Sequence, residues 1–163
     1  MEKIVSIKKA VEISKRLREN GKRIVLVGGC FDIIHPGHIF FLEKAKKQAE
    51  ILFVLLESDE TIRLLKGEGK PIHTQKDRGI ILASLSTVDF VMLLPRLKTD
   101  KDYDDLLFKI KPTIIATTKG DPKRLHKERQ AKRIGAKVIA VMTRLKGKST
   151  SQLAKLLSND YYI

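Results

Sequence analysis

The chain has 163 residues, 42% of them hydrophobic, with 10 Gly and 5 Pro. That suits one domain able to bury about 69% of its unfolded surface, and it excludes a disordered tail or a fibrous repeat. Lys and Arg number 33 against 19 Asp and Glu, a net +14, so anionic partners are expected. A single cysteine, Cys30, excludes an intramolecular disulfide and an all-cysteine zinc site, and points to a reducing, cytoplasmic setting.

The start of the chain lacks an apolar leader core and the longest uncharged apolar run, Ile51 to Leu56, is far short of the roughly 20 residues of a membrane span. Neither secretion nor membrane insertion is expected. Ser6 can cap a helix over 6–20 that ends at Asn20-Gly21. Ile24 to Val27 reads as a buried strand, continuous in apolar residues rather than alternating. Gly37 to Gln48 is helical, Ile51 to Leu56 is a second strand, and a short helix runs from Glu60 to Leu65. After the loop 66–71, Thr74 caps a helix to about Leu85, and Val88 to Leu94 is a third strand. Tyr103 to Ile110 is a helix and Thr113 to Ala116 a fourth strand. Pro122 opens a helix ending near Gly135, Lys137 to Met142 is a fifth strand, and Ser149 opens a last helix.

Strands separated by helices of this length imply right-handed crossovers and a five-stranded, doubly wound parallel sheet in a single α/β domain over 1–163. Ligands of such sheets bind beyond the carboxyl ends of the strands. The residues there are Gly28-Gly29-Cys30-Phe31-Asp32-Ile33-Ile34-His35-Pro36-Gly37-His38. Two glycines allow a sharp turn and close approach of a ligand. His35 and His38 stand three residues apart where a helix begins, so both can reach one anion at its N-terminus. The segment is neither a P-loop nor a dinucleotide fingerprint. A zinc cluster of Cys30, His35 and His38 lacks a fourth ligand, and Cys30 reads as a small apolar residue rather than a nucleophile.

This segment resembles the signature of the cytidylyltransferase-like nucleotidyltransferase superfamily, with its Rossmann-like fold. Leu65-Lys66-Gly67 with Pro71 is similar to the family's Lys-Gly-x-x-x-Pro stretch. Lys76-Asp77-Arg78 is similar to its Gln/His-Arg pair, and Arg144 to Ser151 to its Arg-Thr-Glu-Gly-x-Ser-Thr-Ser/Thr element. The resemblance covers about residues 20 to 157. It implies attack by an acceptor phosphate on the α-phosphorus of a nucleoside triphosphate, with pyrophosphate leaving and no covalent enzyme intermediate.

On that resemblance, His35, His38, Lys66 and Arg78 are the expected catalytic residues. Gly28, Gly29, Cys30, Phe31, Asp32, Gly37, Asp121, Arg144, Ser149, Thr150 and Ser151 are the expected nucleotide-binding residues. Magnesium is expected as the companion of the triphosphate, held mainly by phosphate and water, with Asp32 as a contact and no dedicated protein metal site. Phe31 reads as a core residue rather than a base-stacking one.

The expected partners are a nucleoside triphosphate and a small phosphorylated acceptor, a sugar or polyol phosphate. The family often pairs as dimers, so a homodimer is allowed. The first-strand segment resembles the adenylyltransferase of ADP-heptose synthesis, often fused to a sugar kinase, which favours ATP. Arg144 leans toward the glycerol-3-phosphate type of cytidylyltransferase, and FAD synthases share the Phe-Asp-Ile-x-His-Pro-Gly-His core. Lys119-Gly120-Asp121 stands where the heptose group shows Gly-Gly-Asp.

Residues 121–150 carry ten basic side chains against Asp121 and Glu128, which raises a nucleic-acid-binding module as a reading from another class. Aromatic residues at 6% and no Trp oppose it. A noncatalytic nucleotide sensor is the third reading. The acidic run Asp100 to Asp105 reads as a solvated helix start rather than a metal site.

Overall fold

A computed structural model describes residues 2–143. Twelve elements alternate along this stretch: β1 (Ile4–Val5), α1 (Ile7–Glu19), β2 (Ile24–Gly29), α2 (Pro36–Lys46), β3 (Ile51–Leu56), α3 (Asp59–Lys66), α4 (Gln75–Ser84), β4 (Phe90–Leu93), α5 (Asp100–Ile110), β5 (Ile114–Lys119), α6 (Arg124–Ile134) and β6 (Lys137–Thr143). The strands form one parallel sheet in the order β1-β4-β3-β2-β5-β6. The sheet therefore has six strands where five were expected. The extra strand, β1, pairs only Ile4 and Val5 with Val91 and Met92, too short a run to show periodicity ahead of the Ser6 cap.

The central strands β2 and β3 are buried on both sides, as their unbroken apolar runs require. Edge strand β6 is only half-buried or exposed along its length. Helices cover both faces. On one, Ala10 and Ile13 of α1, Leu106, Leu107 and Ile110 of α5 and Ala131 of α6 pack against Leu26, Phe53, Met92 and Ile115. On the other, Leu42 and Ala45 of α2 and Leu82 of α4 pack against Val25, Val27, Val54 and Val91.

The chain runs outward from β2 in both directions, to β3, β4 and β1 on one side and to β5 and β6 on the other. The carboxyl ends of β2 and β5 thus flank the point where strand order reverses, which is where an open α/β sheet leaves a crevice. No helix among the described residues is long and apolar enough to cross a membrane. The expected last helix from Ser149, with Arg144, Thr150 and Ser151, lies outside the described residues.

Candidate active site

β2 ends on Gly28 and Gly29 inside the crevice. A side chain at Gly29 would press on the Phe31 ring at 3.0 Å, whereas one at Gly28 would meet nothing closer than Leu55 at 3.9 Å. Gly29 is demanded by the protein's own packing. Gly28 opens onto free space at the strand end, and the residue is exposed. Phe31 takes a left-handed backbone, φ +44°, which a bulky residue adopts only when its surroundings hold it there. The hold is burial of its ring to 4% exposure in the core beside α2, so Phe31 packs as the sequence suggested.

That bend delivers His35 to the N-cap of α2, followed by Pro36 at the first helical position. The Gly37 N–H donates to His35 Nδ1 at 3.1 Å. With Nδ1 accepting, the neutral ring carries its proton on Nε2, and that N–H has no partner among the described residues. His38 lies one turn on, its ring stacked on His35 with centroids 3.9 Å apart and 5.2 Å from the Phe31 ring.

Burial pushes the His38 imidazole down to about 4, with His35 and Lys66 adding to the effect and an Ile33 backbone group opposing it. Burial lowers His35 as well. Both rings are therefore neutral donors near pH 7. The Nδ1 of His38 is buried without a hydrogen-bond partner among the described residues, an arrangement that costs about 1–3 kcal/mol and is uncommon away from functional sites. Lys66, last residue of α3, is exposed and near enough to His38 to disfavour its protonation. The two stacked rings form a cradle with the exposed Lys66 nearby, and among the described residues the His35 Nε2–H has no acceptor and the His38 Nδ1 no partner.

Two other expected ligand contacts are occupied by the protein itself. Asp32 is only 2% exposed, and its carboxylate accepts the Ile72 and His73 N–H groups, all at 2.9 Å. Instead of facing magnesium, it latches the return of the 66–73 loop onto the β2–α2 bend. Arg78, placed on α4 by the Thr74 cap, is 0% exposed. Its guanidinium donates to the Cys30 carbonyl, to His73 O at 3.1 Å, to Glu57 O at 2.9 Å and to Asp59 Oδ1 at 2.7 Å. A phosphate would have to displace these acceptors, so Arg78 braces the crevice by tying β2's bend, the end of β3, α3 and the 66–73 loop together. Cys30 contributes its carbonyl here, and its thiol is half-buried.

At the end of β5, Asp121 accepts from Thr117, from Lys127 Nζ at 2.6 Å and from the Lys123 N–H at 2.9 Å. Burial alone would raise this carboxyl, and these donors hold it down at about 2. It shapes the turn into α6. Glu57 went unnoticed in the sequence, though an acid directly after a wholly apolar strand must fall at the sheet's carboxyl end. It follows β3, donates its N–H to Gly29 O at 3.2 Å, and accepts from the Tyr103 hydroxyl at 3.0 and 3.1 Å. Among the described residues no group of three His, Cys, Asp or Glu side chains is gathered for a metal.

Part of the basic stretch is matched by neighbours. Arg129 and Arg133 of α6 bind Asp104 at 3.3 and 2.6 Å, His126 approaches Asp100 at 3.3 Å, and Arg124 pairs with Glu128 at 2.7 Å. The acidic run on α5 is thus the counter-charge of α6 across the same face. Its Asp102 completes a capping box with Thr99.

Comparison with known proteins bears on the family and the fold. A bifunctional protein HldE of Nitratiruptor sp. is 41% identical over 143 residues, 88% of this chain and 29% of that protein. The HldE of Helicobacter pylori J99 is 47% identical over 91 residues, 56% of this chain and 19% of that protein. The chain spans less than a third of these curated relatives' length. The crystal structure of a lipopolysaccharide core biosynthesis protein from Thermoplasma volcanium superposes with TM-score 0.61 at 26% identity, over 78% of this chain and all of that one. A pantoate-beta-alanine ligase from Francisella tularensis shares the fold, with TM-score 0.65 at 18% identity, over all of this chain and 79% of that one. A family model described as cytidylyltransferase-like matches residues 26–155, and the chain belongs to that family of nucleotidyltransferases.

Proposed function

We propose that this chain transfers AMP from ATP to the phosphate of a small phosphorylated sugar. The acceptor's phosphate oxygen attacks the α-phosphorus, the bond from that phosphorus to the bridging oxygen breaks, and pyrophosphate leaves. The observation that carries the reading is the stacked pair His35 and His38 beside Lys66, in which, among the described residues, the His35 Nε2–H and the His38 Nδ1 have no protein partner. The relatives named HldE and the lipopolysaccharide core biosynthesis protein support a sugar phosphate as acceptor.

An anionic nucleophile meeting an anionic electrophile needs positioned donors more than a base, because the attacking oxygen is already deprotonated. The His35 Nε2–H and His38 supply neutral donors toward the α-phosphate and its leaving oxygen, and the N-terminal end of the α2 dipole favours the same negative charge. Lys66 adds a full charge. Gly28 leaves room for the phosphates to approach the backbone. Arg144, Ser149, Thr150 and Ser151 are proposed to bind the nucleotide from beyond β6.

Magnesium would supply charge neutralisation on the triphosphate. The donor set fits an ion held by phosphate and water, since the carboxylates of Asp32 and Asp121 are engaged by protein donors. The setting proposed is cytoplasmic.

The test is pyrophosphate release with each of the four ribonucleoside triphosphates against sugar phosphates, polyol phosphates and flavin mononucleotide. Release with ATP and a sugar phosphate is expected. Release with CTP alone would replace the adenylyl assignment by a cytidylyl one. No release with any pair, with nucleotide still bound, would mark a sensor.

A further inference from the structure

We propose that Glu57, held in place by Tyr103, is the group that reads sugar hydroxyls in the crevice. Glu57 stands at the carboxyl end of β3 beside the Gly29 bend. Tyr103 reaches it from α5, on the face of the sheet opposite α2 and the imidazole cradle. One tyrosine hydroxyl is the only hydrogen bond this carboxylate accepts among the described residues, and it has no ion pair there. Two carboxylate oxygens offer about four acceptor sites, so most of its capacity is unused although the residue is half-buried. A carboxylate kept this way needs donors from elsewhere.

The donors cannot be phosphates, which carry none and would be repelled. They cannot come from Arg78, whose guanidinium reaches the Glu57 backbone carbonyl and the Asp59 carboxylate. Sugar hydroxyls fit, since an O–H can donate to the outer lone pair that Tyr103 leaves on each carboxylate oxygen. Burial, partly offset by Tyr103, Lys123 and Arg78, raises the Glu57 carboxyl, and the tyrosine hydroxyl is raised in turn. Tyr103 therefore remains a donor that bridges both carboxylate oxygens and leaves their outer lone pairs to ligand. Tyr103 is the positioning residue of the pair.

This inference rests on the adenylyl-transfer reading, in which two sugars are present: the acceptor's and the ribose of the nucleotide. Kinetics of Glu57→Gln and Tyr103→Phe by pyrophosphate release separate them. Gln keeps the shape and the bond to Tyr103 but loses the charge-assisted bonds. With Glu57→Gln the KM for the sugar phosphate is expected to rise about tenfold at nearly unchanged kcat, and with Tyr103→Phe about threefold. A rise confined to the nucleotide KM, and abolished with 2′- or 3′-deoxy nucleotides, would assign the same recognition to the ribose.

Both KM values within twofold of the parent in Glu57→Gln would overturn the proposal and leave a purely structural tether. Should the parent protein itself show no turnover, the adenylyl-transfer reading fails on its own. Ligand-observed NMR of the sugar phosphate and of ATP, on parent and Glu57→Gln, then decides the hydroxyl contact, and equal binding of both ligands by both proteins overturns it.

Discussion

His35 and His38 sit on one wall of the crevice and Arg78 lies beneath it, and the sequence motif marks all three alike. Their surroundings differ. The imidazoles are neutral and stacked, and among the described residues the His35 Nε2–H has no acceptor and the His38 Nδ1 no partner. Arg78 has no exposed surface and four protein acceptors. A motif position therefore marks a site without saying whether its side chain touches the ligand or holds in place those that do.

The sharpest way to break this contrast is to remove each member. Arg78→Ala leaves the Asp59 carboxylate and three carbonyls without their donor, and should cost about 3–5 kcal/mol in urea unfolding, a large part of a domain's stability. His35→Asn keeps a good N-cap acceptor for the Gly37 N–H while deleting the Nε2–H. It should leave the unfolding midpoint nearly unchanged and lower kcat by about 10²- to 10³-fold. A stable, inactive Arg78→Ala would erase the distinction, as would a His35→Asn with full turnover.

The neutral state of His38 makes the same contrast visible in pH. Its folded value is about 4 against 6.5 for an unperturbed ring, so between those values the unfolded chain binds the extra proton. The contribution is fully present above pH 6.5 and is lost as pH falls toward 4. At about 1.4 kcal/mol per unit, the loss is at most about 3 kcal/mol. Urea midpoints measured from pH 7 to pH 4 should fall, and His38→Asn should flatten that part of the curve. Asp32→Asn belongs lower on the scale, at about 1–2 kcal/mol, because an amide oxygen still accepts one of the two loop N–H groups. Its expected signature is faster proteolysis within the 66–73 loop.

Much of this was legible in the sequence because it is local. Caps at Ser6 and Thr74, apolar runs at β2 and β3, and the glycine pair each act within a few residues. The sheet order was legible only as a class, and β1 was missed because two residues carry no period. What the sequence could not give was partner choice across the fold. Asp32 lies 40 residues from Ile72, Arg78 lies 48 from Cys30 and Glu57 lies 46 from Tyr103. Whether a charged side chain faces ligand or backbone is settled by such contacts, and residue type alone carries no trace of them. Within the basic stretch, Arg129 and Arg133 likewise find their counter-charge, Asp104, on another helix.

The smallest expected effect on stability is also the cleanest test of what the crevice is for. Gly28 and Gly29 are adjacent, yet only Gly29 is required by a protein neighbour, the Phe31 ring. Ala at Gly29 must shift that ring and strain a residue already at positive φ, so it should destabilise by about 1–3 kcal/mol. Ala at Gly28 meets only ordinary contact with Leu55. By relieving the entropy of a strand glycine it should leave stability within about 1 kcal/mol of the parent, on the favourable side. If a polyphosphate lies against that bare backbone, the added methyl occupies the phosphate's place, and the nucleotide KM rises while the protein becomes no less stable. A Gly28→Ala protein that binds ATP as the parent does would mean the space above β2 belongs to water, and the phosphates would have to lie farther out along α2.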